Sequence, residues 1–233
     1  MKLINLNQSE HYYFYLDKKI KVSSDLFCAE AENKYLFYHD LFDIIPSTSH
    51  ELNYIVQYTD GITSFGKAYS KCIICYVNRK ILISPYLIPF VHEEVHAIIS
   101  RYWGSLPKFW NEGIAEFALY SLIKRMYPSL SNSFLNDYHK LSNEFEFRDI
   151  NSFLRDDLLW TLEDDAFIRI NKITRYGYIA AAYLIKTIFE EQGVCFLKQL
   201  LDLISTNDLS TFKCFALQNH IYQKWIANIQ SGQ

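Results

Sequence analysis

The chain has no run of basic residues, no cysteine pattern of a disulfide scaffold and no apolar stretch long enough to span a membrane, and each absence excludes a class of protein. Its 23 Lys and Arg stand against 26 Asp and Glu, a formal net charge of −3. Without a basic run there is no electrostatic footprint for a phosphate backbone, so no nucleic-acid partner is expected. The five cysteines, Cys28, Cys72, Cys75, Cys195 and Cys214, are odd in number and leave at least one thiol free in a monomer. No stretch reaches the roughly 18 apolar residues of a membrane span, and the first ten residues lack the apolar core of a signal peptide. No membrane partner and a reduced, cytoplasmic setting are therefore expected. Repeats and low-complexity tracts are also missing.

What is there is a chain of 233 residues, half of them hydrophobic, which suits one globular unit or two small subdomains sharing a core. The 18 Tyr and 17 Phe accompany abundant Lys, Ile and Asn. That combination reads as AT-rich codon usage rather than as an aromatic ligand platform. Cys72-Ile-Ile-Cys75 has the spacing of a metal or redox pair, but Lys71–Val77 reads as a strand. Residues three apart on a strand point to opposite faces and cannot chelate together.

Strand patterns cover Tyr12–Val22, Asn53–Thr59, Lys71–Val77 and Lys80–Ser84, with a helix over Asp25–Phe42 between the first two. Ser84-Pro85 caps and starts a helix that runs to about Tyr102, where Gly104 breaks it. Ser105-Leu-Pro107 begins the next, which extends to about Ile123. Beyond residue 130 the pattern is helical at Phe134–Leu141, Ile150–Trp160, Tyr176–Glu191, Val194–Ile204 and Phe212–Ile229. The fold class expected is α+β: residues 1–103 as an N-terminal subdomain with a mixed sheet and helices, residues 104–233 as a mostly helical subdomain, and the active site in the cleft between them.

The chemistry concentrates at His92-Glu-Glu-Val-His96. On a helix this spacing puts two imidazoles one turn apart on one face with a carboxylate beside them, the arrangement of a zinc hydrolase. Leu87, Ile88, Phe90, Val91, Val95, Ala97, Ile98 and Ile99 make the helix apolar nearly all round, hence buried. His and Glu on such a helix each incur a desolvation penalty of roughly 2 kcal/mol or more unless something binds them. A random chain of this length shows H-E-x-x-H roughly once in a hundred, and Glu112, 16 residues after His96, makes chance rarer still. Two imidazoles and a carboxylate complete the three protein ligands of a catalytic zinc, leaving a fourth position for water. One Zn2+ per chain is expected on His92, His96 and Glu112.

Glu93, about 100° round the helix from His92, reaches the water rather than the metal and is the expected general base. Glu94 points further round, to a solvated position or one behind the ligands. Glu116, one turn past Glu112, is placed to accept the free N–H of a ligand imidazole, in preference to lying on bare surface. Tyr176 and Tyr178 are candidates for the donor that steadies a developing oxyanion.

His-Glu-Glu-Val-His followed by Leu-Pro-Lys-Phe-Trp-Asn-Glu-Gly-Ile-Ala-Glu-Phe resembles the gluzincin metallopeptidases, the thermolysin and aminopeptidase N group, and most closely the small bacterial peptidase MA-like proteins. Their pattern continues to a tyrosine, a small-residue helix and a glycine, matched by Tyr178, Ala180 to Ala182 and Gly193. The similarity covers about residues 50–229. The resemblance implies zinc on His92, His96 and Glu112, base catalysis by Glu93 and oxyanion help from Tyr178. Gly66-Lys-Ala-Tyr-Ser resembles the edge strand along which such enzymes hold an extended substrate, so a peptide is expected to lie against an edge strand within Gly66–Val77. The 15 residues between His96 and Glu112 are fewer than in thermolysin or aminopeptidase N, and residues 1–50 match nothing in the family.

The function expected is a zinc-dependent metallopeptidase acting on a peptide or protein substrate. Its rivals are a catalytically inactive zincin-fold binding or regulatory protein, which would have no need of Glu93, and a hydrolase of non-peptide amides, which would use the same residues. No pair of acids of the kind that anchors a free amine stands out, which favours an endopeptidase.

Overall fold

The computed structural model describes residues 3–20, 24–46, 52–60, 65–69, 71–77, 91–129, 174–206, 211 and 220–231. The architecture is α+β, and the chain divides into two compact units, Met1–Tyr102 and Trp103–Gln233.

Among the described residues the first unit is built on a five-stranded sheet in the order β1-β2-β3-β5-β4, from β1 (Leu3–Gln8), β2 (Tyr12–Asp17), β3 (Leu52–Tyr58), β4 (Phe65–Tyr69) and β5 (Cys72–Val77). The central strands β2, β3 and β5 are parallel, while β1 and β4 are antiparallel edges. Parallel neighbours need a crossover, and helix α1 (Ser24–Leu41) lies between β2 and β3 in the chain. The period of two is plain in the burial: Tyr12, Phe14, Leu16, Leu52, Tyr54, Val56, Ile73, Cys75 and Val77 are buried, and the residues alternating with them are half-exposed. One face of the sheet is therefore core. Phe27 of α1 meets Phe14 edge-on at 5.1 Å between ring centroids, and Tyr35 meets Tyr12 at 5.7 Å. Each such ring removed from water stabilises the fold by about 1.5–3 kcal/mol.

The ends of these elements follow local chemistry. β2 stops at Asp17, earlier than the Val22 read from the pattern, because the Asp17 carboxylate accepts the Lys19 N–H at 2.9 Å and its carbonyl accepts the Ile20 N–H, closing a turn. α1 ends with Asp43 in the left-handed region at φ 49°. The Ile44 N–H then reaches the His39 carbonyl and the Asp43 N–H the Asp40 carbonyl, a Schellman closure. Strand β1 was not expected. The expected strand Lys80–Ser84 and the Ser84-Pro85 helix start lie outside the described residues, as do Leu87, Ile88 and Phe90. Helix α2 is described over Val91–Trp103 and ends at Gly104, whose φ of 66° is the left-handed conformation that glycine adopts without strain.

The second unit consists, among the described residues, of helices α3 (Lys108–Met126), α4 (Thr174–Gln192), α5 (Val194–Ser205) and α6 (Ile221–Ser231). Pro107 caps α3 with φ −52°, as its fixed ring geometry favours, and α3 runs three residues past the expected Ile123. Gly193, at φ 82°, is the single residue joining α4 to α5. Buried Trp225 of α6 donates its indole N–H to the Ala180 carbonyl at 2.8 Å, tying α6 to α4. The expected helices Phe134–Leu141 and Ile150–Trp160 lie outside the described residues, as does the start of Phe212–Ile229. No helix among the described residues is long and apolar enough to cross a membrane.

Candidate metal centre

His92 and His96 project from the same side of α2, their ring centroids 4.5 Å apart and their planes at 84°. Glu112 stands in the second turn of α3, after the four-residue connection 104–107. Along this continuous stretch of chain, imidazole nitrogens of His92 and His96 and a carboxylate oxygen of Glu112 all lie within 4.8 Å of one another, each side chain half-buried. Among the described residues it is the one group of three His, Cys, Asp or Glu side chains so placed. Ligands about 2.0–2.2 Å from a tetrahedral zinc sit roughly 3.3–3.6 Å apart, inside that limit. Two imidazoles and one carboxylate are a donor set that zinc accepts, so the residues fit the ion.

Glu93 is half-buried and lies directly against β4. A Cβ at Gly66 would overlap the Glu93 Cγ and stand 2.8 Å from its Cδ and 3.0 Å from Oε1. The glycine is there because a side chain passes over the strand's backbone, not because of an unusual φ. The sequence marked Gly66 as part of an edge strand, but nothing in it pointed to the contact with Glu93.

One expectation is narrowed. β5 is not an edge: Ile73 and Ile74 pair with Tyr54 and Ile55 on one side and with Ala68 and Lys67 on the other. Its ladder is filled on both sides, so among the described strands within Gly66–Val77 only β4, last in the strand order, retains an edge. Proline at Ile73 or Ile74 would therefore break the sheet rather than report on a bound peptide.

Glu94 is also corrected. It is neither solvated nor behind the ligands but fully buried, its Oε1 2.8 Å from the Lys34 Nζ, with both side chains at 0 % exposure. The Tyr38 hydroxyl donates to Oε2 at 3.3 Å. Desolvation first, and then the negative charge of Glu94, push the Tyr12 and Tyr54 hydroxyls and the Cys75 thiol well above their ordinary pKa values. All three stay protonated at neutral pH. The neutral Cys75 thiol, buried while Cys72 is half-exposed on the opposite face, agrees with the strand reading of Cys72-Ile-Ile-Cys75. The signal for Glu94 was invisible in the sequence, since its partner is 60 residues away.

Glu116 is buried, at 2 % exposure, one turn past Glu112, which rules out the bare-surface alternative. Gly113 of α3 meets α4 so closely that a Cβ there would lie 2.9 Å from the Ala181 backbone and Cβ. Further along, Phe117 packs on Phe189 at 5.2 Å between centroids. The two helices thus run in the same direction, and Tyr178, half-buried and nearly one turn before Ala181, belongs to the Glu112 end of their contact. Tyr176 is in the first turn of α4.

Comparison with known proteins adds no relative: neither the family models nor the curated proteins searched return a match to this chain.

Proposed function

We propose that the chain is a zinc-dependent metallopeptidase of the gluzincin type, binding one zinc ion through His92, His96 and Glu112 and hydrolysing peptide bonds in a peptide or protein substrate. The observation that carries the reading is the convergence of those three donors within 4.8 Å with the Glu93 carboxylate beside the edge strand β4. Zinc held by these three residues would supply Lewis acidity enough to bring the pKa of water toward neutrality. Glu93 takes the proton of the attacking water and later hands it to the leaving amine. An extended substrate adds to β4 through backbone hydrogen bonds, which puts its scissile carbonyl near the Glu93 carboxylate. Tyr178 donates a hydrogen bond to the carbonyl oxygen as negative charge develops there. Glu116 accepts the remaining N–H of a ligand imidazole, fixing its tautomer. A protein that only bound a partner would need no base at position 93.

Glu93→Gln decides between the two, because it keeps shape and removes the proton acceptor. Zinc, followed by elemental analysis, should stay bound while hydrolysis of a peptide library falls by roughly 100-fold or more. The His92→Ala, His96→Ala double variant should lose the zinc. Wild-type protein that holds zinc and cleaves nothing would leave the binding-protein reading in its place, and zinc retained by the double variant would dismiss the ligand assignment. Tyr178→Phe should slow turnover by about 2–4 kcal/mol of transition-state stabilisation, with Tyr176→Phe as its control.

A further inference from the structure

We infer that Lys34 and Glu94 form a buried anchor that sets the roll of helix α2 about its axis, and so the aim of the His92 and His96 imidazoles. The inference rests on the metal-site reading above. At about 100° per residue, Glu94 is roughly 160–200° round the helix from both histidines, so the pair grips the side of α2 opposite its ligands.

The grip is directional. Lys34 Nζ and Glu94 Oε1 are 2.8 Å apart with neither side chain exposed, and Tyr38 donates to the other carboxylate oxygen. Both carboxylate oxygens of this one α2 residue are thereby held from α1. Tyr54, on the face of the sheet beneath, is close enough for the Glu94 charge to help push its hydroxyl pKa up, after desolvation. The apolar neighbours Val95, Ala97, Ile98 and Ile99 are buried as well, but apolar burial is non-directional and does not single out one angle as a hydrogen bond does. An imidazole nitrogen on the order of 7 Å from the helix axis swings by about 1 Å for a roll of roughly 10°. Metal–ligand distances tolerate only about 0.2 Å. Orientation rather than burial is what the site demands of α2.

Stability alone does not account for such a pair. The desolvation of two charges roughly cancels their attraction, and apolar replacements of similar volume are often neutral or stabilising. The pair is therefore a positioning device, and its removal should separate zinc binding from folding.

The test uses the full chain carrying Lys34→Met with Glu94→Leu, and in parallel Lys34→Met with Glu94→Gln, which keeps an acceptor for Tyr38. Zinc Kd is measured by chelator competition, stability by denaturant, and ligand geometry by the visible spectrum of the cobalt-loaded protein. The expected result is a folded protein at least as stable as wild type, with zinc Kd raised about tenfold or more and an altered cobalt spectrum. A folded variant with wild-type Kd and spectrum overturns the inference and leaves the metal site standing. Failure of both variants to fold overturns it too, by making the pair a stability element. Wild-type protein that binds no zinc removes the metal-site reading itself, and the anchor with it.

Discussion

Helix α2 rests on a buried charged pair, Lys34 and Glu94, whereas α3 meets α4 through a missing side chain, Gly113 against the backbone of Ala181. The two units thus orient the helices that carry the candidate ligands by different physics. A polar anchor fixes angle and tolerates small changes of volume, because hydrogen bonds fall off steeply with misalignment. A close steric approach fixes distance and tolerates changes of charge, because the interior is packed at crystal density and has no room for an added methyl. Substitutions that add one carbon should therefore hurt the second unit in its stability and the first in its chemistry.

Gly113→Ala gives the largest expected effect on stability. Its Cβ would lie 2.9 Å from the carbonyl carbon, the oxygen and the Cβ of Ala181, and backbone cannot rotate away as a side chain can. α3 and α4 must separate, at a cost of about 1–3 kcal/mol. Denaturant unfolding measures it; a midpoint equal to wild type would mean that the close approach does not hold the two helices.

Gly66→Ala adds the same methyl to the first unit, but there the obstacle is the Glu93 side chain, which can swing to another rotamer. Stability should change little, zinc should stay bound, and kcat/KM should fall about tenfold, roughly 1.4 kcal/mol of transition-state stabilisation, as the carboxylate is pushed off β4. A Gly66→Ala protein that is destabilised as much as Gly113→Ala would erase the contrast. One with full activity would show that the pose of Glu93 beside the strand is not the reacting one.

Much of this was readable in the sequence where local chemistry decides. The alternation of Tyr12, Phe14 and Leu16, the left-handed stop at Gly104 and the proline entry at Pro107 each carry their own signal within a few residues. So do His92 and His96, because helical spacing turns sequence distance into geometry, with Glu112 offered by the helix that follows the short connection 104–107. What the sequence concealed is long-range. β1 has Asn at positions 5 and 7, with a register shift between them, and is a strand because β2 offers it an edge. Glu94 looks like any solvated acid until α1 brings Lys34 to it. The edge itself was misread over Cys72–Val77, since only strand order reveals that β5 lies between β3 and β4.

The smallest effect expected concerns His39, which lies near the C-terminal end of α1. It is buried at 2 % exposure, with Nδ1 2.8 Å from the Tyr35 carbonyl and Nε2 3.2 Å from the Tyr102 hydroxyl. A carbonyl only accepts, so Nδ1 carries the proton of the neutral ring. Burial lowers the His39 pKa below the ordinary 6.5, with the Tyr35 carbonyl opposing and the His11 and Arg101 charges assisting. As pH falls, the unfolded chain therefore takes up its proton before the folded one does. The stabilisation from a neutral His39 is fully present above about pH 6.5 and is lost as pH drops below it. His39→Asn keeps an N–H directed at Tyr35 without a group that titrates there. Denaturant unfolding between pH 7 and about pH 5 should show a shallower pH dependence for the variant than for wild type. Parallel slopes would mean that His39 takes its proton equally readily in both states, and that this end of α1 is open to water.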